Sequence, residues 1–202
     1  MIRFYQAFEK LRLGRGPASH GFCKYSHPRR LKRMQAVFLD MEGMTIEALV
    51  AVARQGAEAR LSAAAETRIA AGRALVDRWV REERRIYGVT TGFGALSDVA
   101  ISGKDTRRLQ ENILMSHAAG VGRPLDAETV RAVMTLRVKD FARGHSGIRL
   151  ETAQQLLELL NRGVVPVIPE KGSVGASGDL APWPTWRWCF WARARPSTTA
   201  GK

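Results

Sequence analysis

The sequence predicts a mainly α-helical domain, and three observations support this class. Apolar residues recur at helical spacing through most of the stretch from Thr45 to Arg162. Residues that favour helix N-caps precede several of these stretches, and glycine or asparagine follows them. The composition is 45% hydrophobic and 25% charged, as in ordinary globular proteins, and no apolar run approaches the ~18–20 residues of a membrane helix. We therefore expect a helical domain without a membrane partner.

The first two predicted helices each begin after a hydroxyl residue. Thr45 can cap a helix whose apolar residues lie within 46–52 and which stops at Gly56. Ser62 can cap a longer helix that ends in the charged run 81–85, which is typical of a solvated face. Both starts are local signals that require no knowledge of the tertiary structure.

The next segment, YGVTTGFGALS at 87–97, interrupts the helical pattern. Its three glycines permit positive φ angles and close approach of the backbone. A helix is predicted from about Lys104 to His117, because Ser102 and Asp105 are spaced as a capping box. The sequence thus places a glycine-rich loop between two helices.

Two further helices precede a second glycine-rich loop. Asp126 can cap one of them, and residues 150–160 form the other. The prolines in VVPVIP, 164–169, predict an extended strap. The following GSVGASGDL, 172–180, lacks the lysine and spacing of a phosphate-binding P-loop. From the residues alone it is an ordinary turn into a helix.

The net charge of +13 resides in the two ends of the chain. Residues 1–33 hold nine Lys or Arg and one acid, and residues 183–202 hold four and none. Residues 34–182 are nearly neutral, whereas a nucleic-acid-binding domain carries positive charge on its folded surface. We expect no nucleic-acid partner. A non-enzymatic basic binding protein is the alternative interpretation, and only the charged ends of the chain support it.

These ends are also expected to lie outside the domain, which we assign to residues 34–182. Residues 1–33 lack a sustained helix or strand period. We interpret them as a disordered basic leader or as the result of a start assigned before Met34, with a transit peptide as an alternative.

Four of the five tryptophans fall within residues 183–191. Loss of one base before Trp183 would explain this, because the restored frame reads as an apolar helix. We therefore expect an out-of-frame tail over 183–202.

The cysteines and acidic residues predict neither disulfides nor a metal site. Cys23 and Cys189 are the only cysteines, too few for a disulfide framework, so a reducing, cytoplasmic setting is expected. Asp98, Asp140 and Asp179 form no apparent metal-ligand cluster with the histidines. We predict that no metal is bound.

Four ordered segments resemble the aromatic amino-acid ammonia-lyases, most of all the histidine type. They are YGVTTGFG at 87–94, LQENILMSHAAGVG at 109–122, ARGHSGIR at 142–149 and VVPVIPEKGSVGASGDLAP at 164–182. The resemblance covers roughly residues 37–182. It implies the N-terminal part of the ammonia-lyase (aspartase/fumarase-like) helical fold, with the cofactor loop near a helix N-terminus.

The resemblance implies that Ala176, Ser177 and Gly178 cyclise autocatalytically to a 4-methylidene-imidazol-5-one. The residue types suit this reaction, because serine supplies a hydroxyl that can leave and glycine an unhindered nitrogen in a strained turn. A helix starting near Asp179 would direct partial positive charge at the ring. This electrophile would activate an aromatic amino acid for loss of ammonia.

The resemblance also assigns residues around the substrate. Tyr87 is the candidate acid/base, although tyrosine is a weak base at neutral pH and would need help from its surroundings. Ser116 and His117 would meet the substrate ring, and this polar pair resembles histidine lyases more than phenylalanine lyases. Gly94 and Leu180 are further substrate-binding candidates. Without the family, each of these residues is equally well explained by ordinary packing or turn geometry.

The implied reaction is conversion of L-histidine to urocanate and ammonia by a homotetramer. A phenylalanine or tyrosine ammonia-lyase, or an aminomutase, is the alternative. Family members are much longer and draw each active site from several subunits. The later site residues, which include tyrosines, an arginine, a glutamate and an asparagine, have no counterpart in this sequence. We therefore expect the 202-residue chain to be inactive alone.

Overall fold

The computed structural model forms two compact units, which are described separately. The first comprises Tyr25–Glu111 and Asp126–Val165, and the second comprises Met1–Lys24, Asn112–Leu125 and Pro166–Lys202. The structure describes residues 35–92, 94, 97–102, 105, 108–109, 111–112, 116 and 120–172, together with the backbone of Cys23–Tyr25.

The described residues are mainly helical, as predicted. The helices are α1 (Ile46–Ala53), α2 (Ala63–Arg81), α3 (Ala127–Phe141) and α4 (Leu150–Asn161). The short strands are β1 (Cys23–Tyr25), β2 (Val37–Leu39), β3 (Ala59–Leu61), β4 (Val121–Pro124), β5 (Val164–Pro166) and β6 (Pro169–Lys171). A helix is predicted over 104–117. Within that range the structure describes five residues as helical, namely Arg108, Leu109, Glu111, Asn112 and Ser116. The extended strap predicted over 164–169 is confirmed in β5 and the start of β6.

Three helices begin at the caps that the sequence predicts. The hydroxyl of Thr45 accepts a hydrogen bond from the Ala48 amide at 3.2 Å, and that of Ser62 accepts from Ala65 at 3.0 Å. The carboxylate of Asp126 accepts from the Thr129 amide at 2.8 Å. Each bond satisfies an amide that the first helical turn leaves without a partner.

The core of the first unit lies among the four helices. Helix α3 packs against both α1 and α4, and α4 also contacts α2 and β3. The large side chains that are almost completely buried are Leu39, Val52, Ile69, Val130, Met134, Val138, Leu156 and Leu160. Burial of such side chains contributes roughly 1.5–3 kcal/mol each and is the main force holding the helices together.

A short parallel sheet, which the sequence did not predict, joins the beginning of the unit to α4. Val37 pairs with Ala59 and Leu39 with Leu61. The Asn161 side chain continues this pairing, because its Oδ1 accepts from the Ala59 amide at 2.9 Å and its Nδ2 donates to the Ala59 carbonyl at 2.8 Å. The amide side chain thus takes the place of a neighbouring strand at β3.

The loop after α3 lies directly on α2. A Cβ on Gly72 would lie 2.0 Å from the Gly144 carbonyl oxygen, and one on Gly147 would lie 2.4 Å from Val76 Cγ2. Gly144 and Gly147 have φ angles of +80° and +63°. His145 between them is exposed. The glycines of ARGHSGIR therefore make the close contact with α2.

In the second unit, β4 and β6 form an antiparallel pair. Val121 pairs with Lys171 and Pro124 with Pro169, with an irregular register between them. The Leu125 amide extends the pairing by donating to the Ile168 carbonyl at 2.8 Å. In neither unit does any described helix have the length and apolar content needed to cross a membrane.

Candidate active site

The loop that carries Tyr87 starts immediately after α2. Glu82 caps the helix, and Glu83 follows with a φ angle of +51°, which turns the chain away from the helix axis. Gly88, with φ +71°, supplies the next positive angle. This left-handed conformation is costly for residues with a Cβ, which explains the glycine directly after Tyr87.

Tyr87 lies on the surface of the first unit and contacts Gly94. The tyrosine is 64% exposed. Its hydroxyl oxygen accepts a hydrogen bond from the Gly94 amide at 3.5 Å. Gly94 has a φ angle of +55°, and a Cβ there would meet no atom within 4 Å. Backbone conformation, rather than lack of space, is therefore the reason for glycine at this position.

Two threonines in the same loop make contacts that the sequence analysis did not identify. Thr90 and Thr91 are 6% and 4% exposed. The Thr90 hydroxyl accepts from the Ile86 amide at 2.9 Å, and that of Thr91 accepts from the Gly88 amide at 3.3 Å. The available signal was a pair of hydroxyl residues within a glycine-rich segment, since such side chains commonly bond nearby backbone in turns.

The other predicted site residues are only partly covered by the described structure. Ser116 is exposed on a helical turn of the second unit. The cofactor-forming residues Ala176, Ser177 and Gly178 lie outside the described residues, as do His117 and Leu180. The structure therefore brings together Tyr87 and Gly94 among the predicted set.

A metal site is not formed by the described part of the chain. Within those residues, no three histidine, cysteine, aspartate or glutamate side chains come together as potential metal ligands. The groups that the contacts above bring together in the loop are one phenol, two buried hydroxyls and backbone amides.

Comparison with known proteins connects this loop to a family. The sequence profile of aromatic amino acid lyases matches residues 44–185. Histidine ammonia-lyase from Streptococcus gordonii is 56% identical over 144 residues, which cover 71% of this chain and 28% of that protein. The chain therefore spans less than a third of the length of this curated relative.

Solved structures show the same fold. Histidine ammonia-lyase from Trypanosoma cruzi matches with a TM-score of 0.68 and 40% identity, over 76% of this chain and 30% of that one. Tyrosine aminomutase from Streptomyces globisporus matches with a TM-score of 0.69 and 33% identity, over 74% and 28%. On the extent of the profile match, the chain belongs to the aromatic amino acid lyase family.

Proposed function

We propose that this chain is the N-terminal part of an ammonia-lyase that converts L-histidine to urocanate and ammonia. The observation that carries the proposal is the Tyr87 loop, in which an exposed phenol accepts a hydrogen bond from the Gly94 amide. The 56% identity to a histidine ammonia-lyase supports histidine as the substrate. The proposed substrate class is a small aromatic amino acid.

The sequence contains residues that fit the family's cofactor. Ala176, Ser177 and Gly178 provide a small residue, a hydroxyl that can leave and an unhindered backbone nitrogen. These are the groups needed to form a methylidene-imidazolone without another enzyme. When formed, that group supplies an electrophile that activates the substrate for loss of its amine. We propose no metal in this chemistry.

Tyr87 is proposed to move the proton from the substrate's β-carbon. Its exposure allows a substrate to approach the phenol oxygen. The Gly94 amide points its N–H at the same oxygen. A tyrosine oxygen must carry negative charge to accept a proton, and an oriented donor of this kind stabilises negative charge on the oxygen at which it points. Tyr87 and Gly94 would therefore act as one unit.

Ser116 and His117 are proposed to select the substrate, and Leu180 to line the same site. A hydroxyl and an imidazole can form hydrogen bonds to an imidazole substrate, whereas a phenyl ring offers neither group a hydrogen-bond partner. A site built to hydrogen-bond its substrate rejects apolar analogues strongly. This pair would consequently favour histidine over phenylalanine.

The assembled enzyme is proposed to be a cytoplasmic homotetramer. Residues 34–182 are proposed to be its N-terminal domain, residues 1–33 a basic leader and residues 183–202 an out-of-frame tail. The nucleotide sequence around codon 183 tests the last assignment. A one-base change that opens a long frame would support it, and a frame that stays closed in all readings would refute it.

A chimera provides the test of the reaction. It joins residues 44–182 of this chain to the remaining sequence of the Streptococcus gordonii relative, because this chain covers only 28% of that protein. Tyr87→Phe should lower histidine turnover by about 10²–10⁴-fold, the usual contribution of a general acid or base. Gly94→Ala should impair turnover too, because it strains a positive φ. Wild-type turnover in Tyr87→Phe would refute the proposed role.

An aminomutase is the second candidate, favoured by the structural match to tyrosine aminomutase at a TM-score of 0.69. The products distinguish the two reactions, because a lyase releases ammonia whereas an aminomutase returns the amine to the carbon skeleton.

Replacement of Ser116 and His117 by apolar residues in the chimera should shift its substrate preference from histidine toward phenylalanine. An unchanged preference would remove these residues from substrate selection.

A further inference from the structure

The backbone on both sides of Tyr87 is held by two neighbouring threonine hydroxyls. Thr90 Oγ1 accepts from the Ile86 amide, which precedes Tyr87, at 2.9 Å. Thr91 Oγ1 accepts from the Gly88 amide, which follows Tyr87, at 3.3 Å. Consecutive side chains therefore hold the two amides that flank the exposed tyrosine.

Each hydroxyl also donates to a backbone carbonyl. Thr90 Oγ1 donates to the Arg84 carbonyl, and Thr91 Oγ1 donates to the Gly92 carbonyl at 3.0 Å. Both threonines are more than nine-tenths buried. A buried hydroxyl or amide that loses its partner is costly, because no water replaces the lost bond.

The threonines themselves are fixed by a short antiparallel bridge. Thr91 pairs with Ala100, the Gly92 amide donates to the Val99 carbonyl at 3.1 Å, and the Ile101 amide donates to the Thr90 carbonyl at 2.8 Å. The loop thus has a rigid, buried side and an exposed side on which Tyr87 lies. The backbone from which the exposed Tyr87 side chain projects is therefore held in one position.

We propose that Thr90 and Thr91 are positioning residues that fix the backbone of Tyr87 for its reaction. The proposal rests on the proposed function of Tyr87 and adds the two residues that orient it. Neither threonine is expected to contact the substrate, since both are buried. Their effect should pass through the Ile86 and Gly88 amides.

Amide hydrogen exchange of the full 202-residue chain, measured by NMR, tests this directly. Thr91→Val should accelerate exchange of Gly88 by about 5–30-fold, the effect of losing one or two hydrogen bonds. Thr90→Val should instead accelerate hydrogen exchange of the Ile86 amide. Thr91→Ser retains the hydroxyl and should keep Gly88 exchange within about twofold of the unsubstituted chain. The Tyr87 ring signals should shift in the two valine variants.

Thr135→Val is the matched control. Thr135 is also buried, and its hydroxyl donates to the Arg131 carbonyl at 2.8 Å within α3. It should leave the Tyr87 ring signals and the Ile86 and Gly88 amides unchanged. If it altered them as Thr91→Val does, general loosening would explain both results and the proposal would fail.

The unsubstituted chain supplies a measurement that does not depend on variants folding. The Ile86 and Gly88 amides should be protected from exchange, and absence of protection at both would overturn the proposal. Turnover by the chimera reports on the proposed function separately. A chimera that is inactive with every substrate would refute the proposed function, whereas the exchange data would still decide the role of the threonines.

Discussion

Arg131 is a buried cation that joins three helices without a carboxylate partner among its described contacts. It is 3% exposed and donates to the carbonyls of Val52 at 2.7 Å, Ala53 at 3.1 Å and Leu160 at 2.8 Å. These carbonyls lie at the C-terminal ends of α1 and α4, where helices leave acceptors unsatisfied and carry partial negative charge. The guanidinium therefore stabilises two helix ends from a position on α3.

Arg131→Met should lower the free energy of unfolding by about 3 kcal/mol, because three buried carbonyls lose charged donors. Arg137→Met is the control on the same helix. The Arg137 side chain is 38% exposed, bonds Asp140 at 3.3 Å and lies over the ring of the buried Phe141, so its loss should cost less than about 1 kcal/mol. Urea denaturation measures both, and equal effects would contradict the role given to Arg131.

Asp40 links the end of β2 to the start of α2. Its carboxylate accepts from the Ser62 hydroxyl at 2.6 Å and from the Met41 amide at 2.6 Å, and it pairs with Arg68. These contacts, the Ser62 hydrogen bond foremost, lower the pKa of Asp40 from 3.8 to about 2. A lowered pKa means that the ionised carboxylate stabilises the folded state.

The contribution of Asp40 should be complete above about pH 5, well above its ordinary pKa of 3.8, and should disappear as the pH falls through about 2, because protonation then becomes equal in both states. Asp40→Asn should destabilise the chain at neutral pH. The difference between the two proteins should narrow as the pH falls from about 5 to 2. Denaturant midpoints across that range give the measurement, and a difference that stays constant would exclude the carboxylate charge as the cause.

At the scale of elements, the contact between α2 and the loop after α3 depends on glycine. Gly72 places its backbone where a Cβ would overlap the Gly144 carbonyl oxygen at 2.0 Å. Gly144 in turn would bring a Cβ within 2.7 Å of the Arg68 carbonyl oxygen. Neither carbonyl can move without displacing its own helix or turn.

Gly72→Ala should therefore destabilise the chain by roughly 1–3 kcal/mol, as overpacking commonly does. The same change in an exposed helix stabilises by about 1 kcal/mol, so the sign of the effect is decisive. Ala71→Gly, at the exposed neighbour, supplies the ordinary propensity cost as a control. An increase in Tm for Gly72→Ala would show that the two backbones are not in close contact.

The helices could be predicted from the sequence, and the strands mostly could not. Each predicted cap, Thr45, Ser62 and Asp126, accepts a hydrogen bond from the amide three residues later. Local spacing in the sequence is therefore sufficient to predict where these helices begin. The pairing of Val37 with Ala59 requires residues far apart in sequence to meet, and three-residue strands have no readable period. The role of Asn161 beside β3 likewise depends on the tertiary fold.

At the scale of the whole molecule, the sequence predicted the family and the location of the Tyr87 loop. It did not predict the hydrogen bonds that hold the loop together. Tyr87 and Gly94 were identified by resemblance, and the structure brings them into contact. Thr90 and Thr91 were missed because a buried hydroxyl and an exposed one look alike in sequence. The proposed cofactor-forming residues, Ala176, Ser177 and Gly178, remain assigned by resemblance.

The chain's length relative to its family makes another prediction. Because this chain covers only 28% of the Streptococcus gordonii enzyme, most of the cooperating groups of an active site are expected from the rest of such a protein. The purified 202-residue chain should show no turnover of histidine, phenylalanine or tyrosine, since catalytic groups act together. Ultraviolet absorbance of the conjugated products measures this, and any sustained turnover would contradict it.

Urocanate formation from L-histidine by the chimera tests the proposed function most directly. We expect sustained ammonia release and urocanate absorbance with histidine, weaker turnover of phenylalanine, and loss of both activities in Ser177→Ala. A folded chimera that leaves histidine unchanged, or that keeps full activity in Ser177→Ala, would contradict the assignment of this chain to a histidine ammonia-lyase with an Ala176-Ser177-Gly178 cofactor.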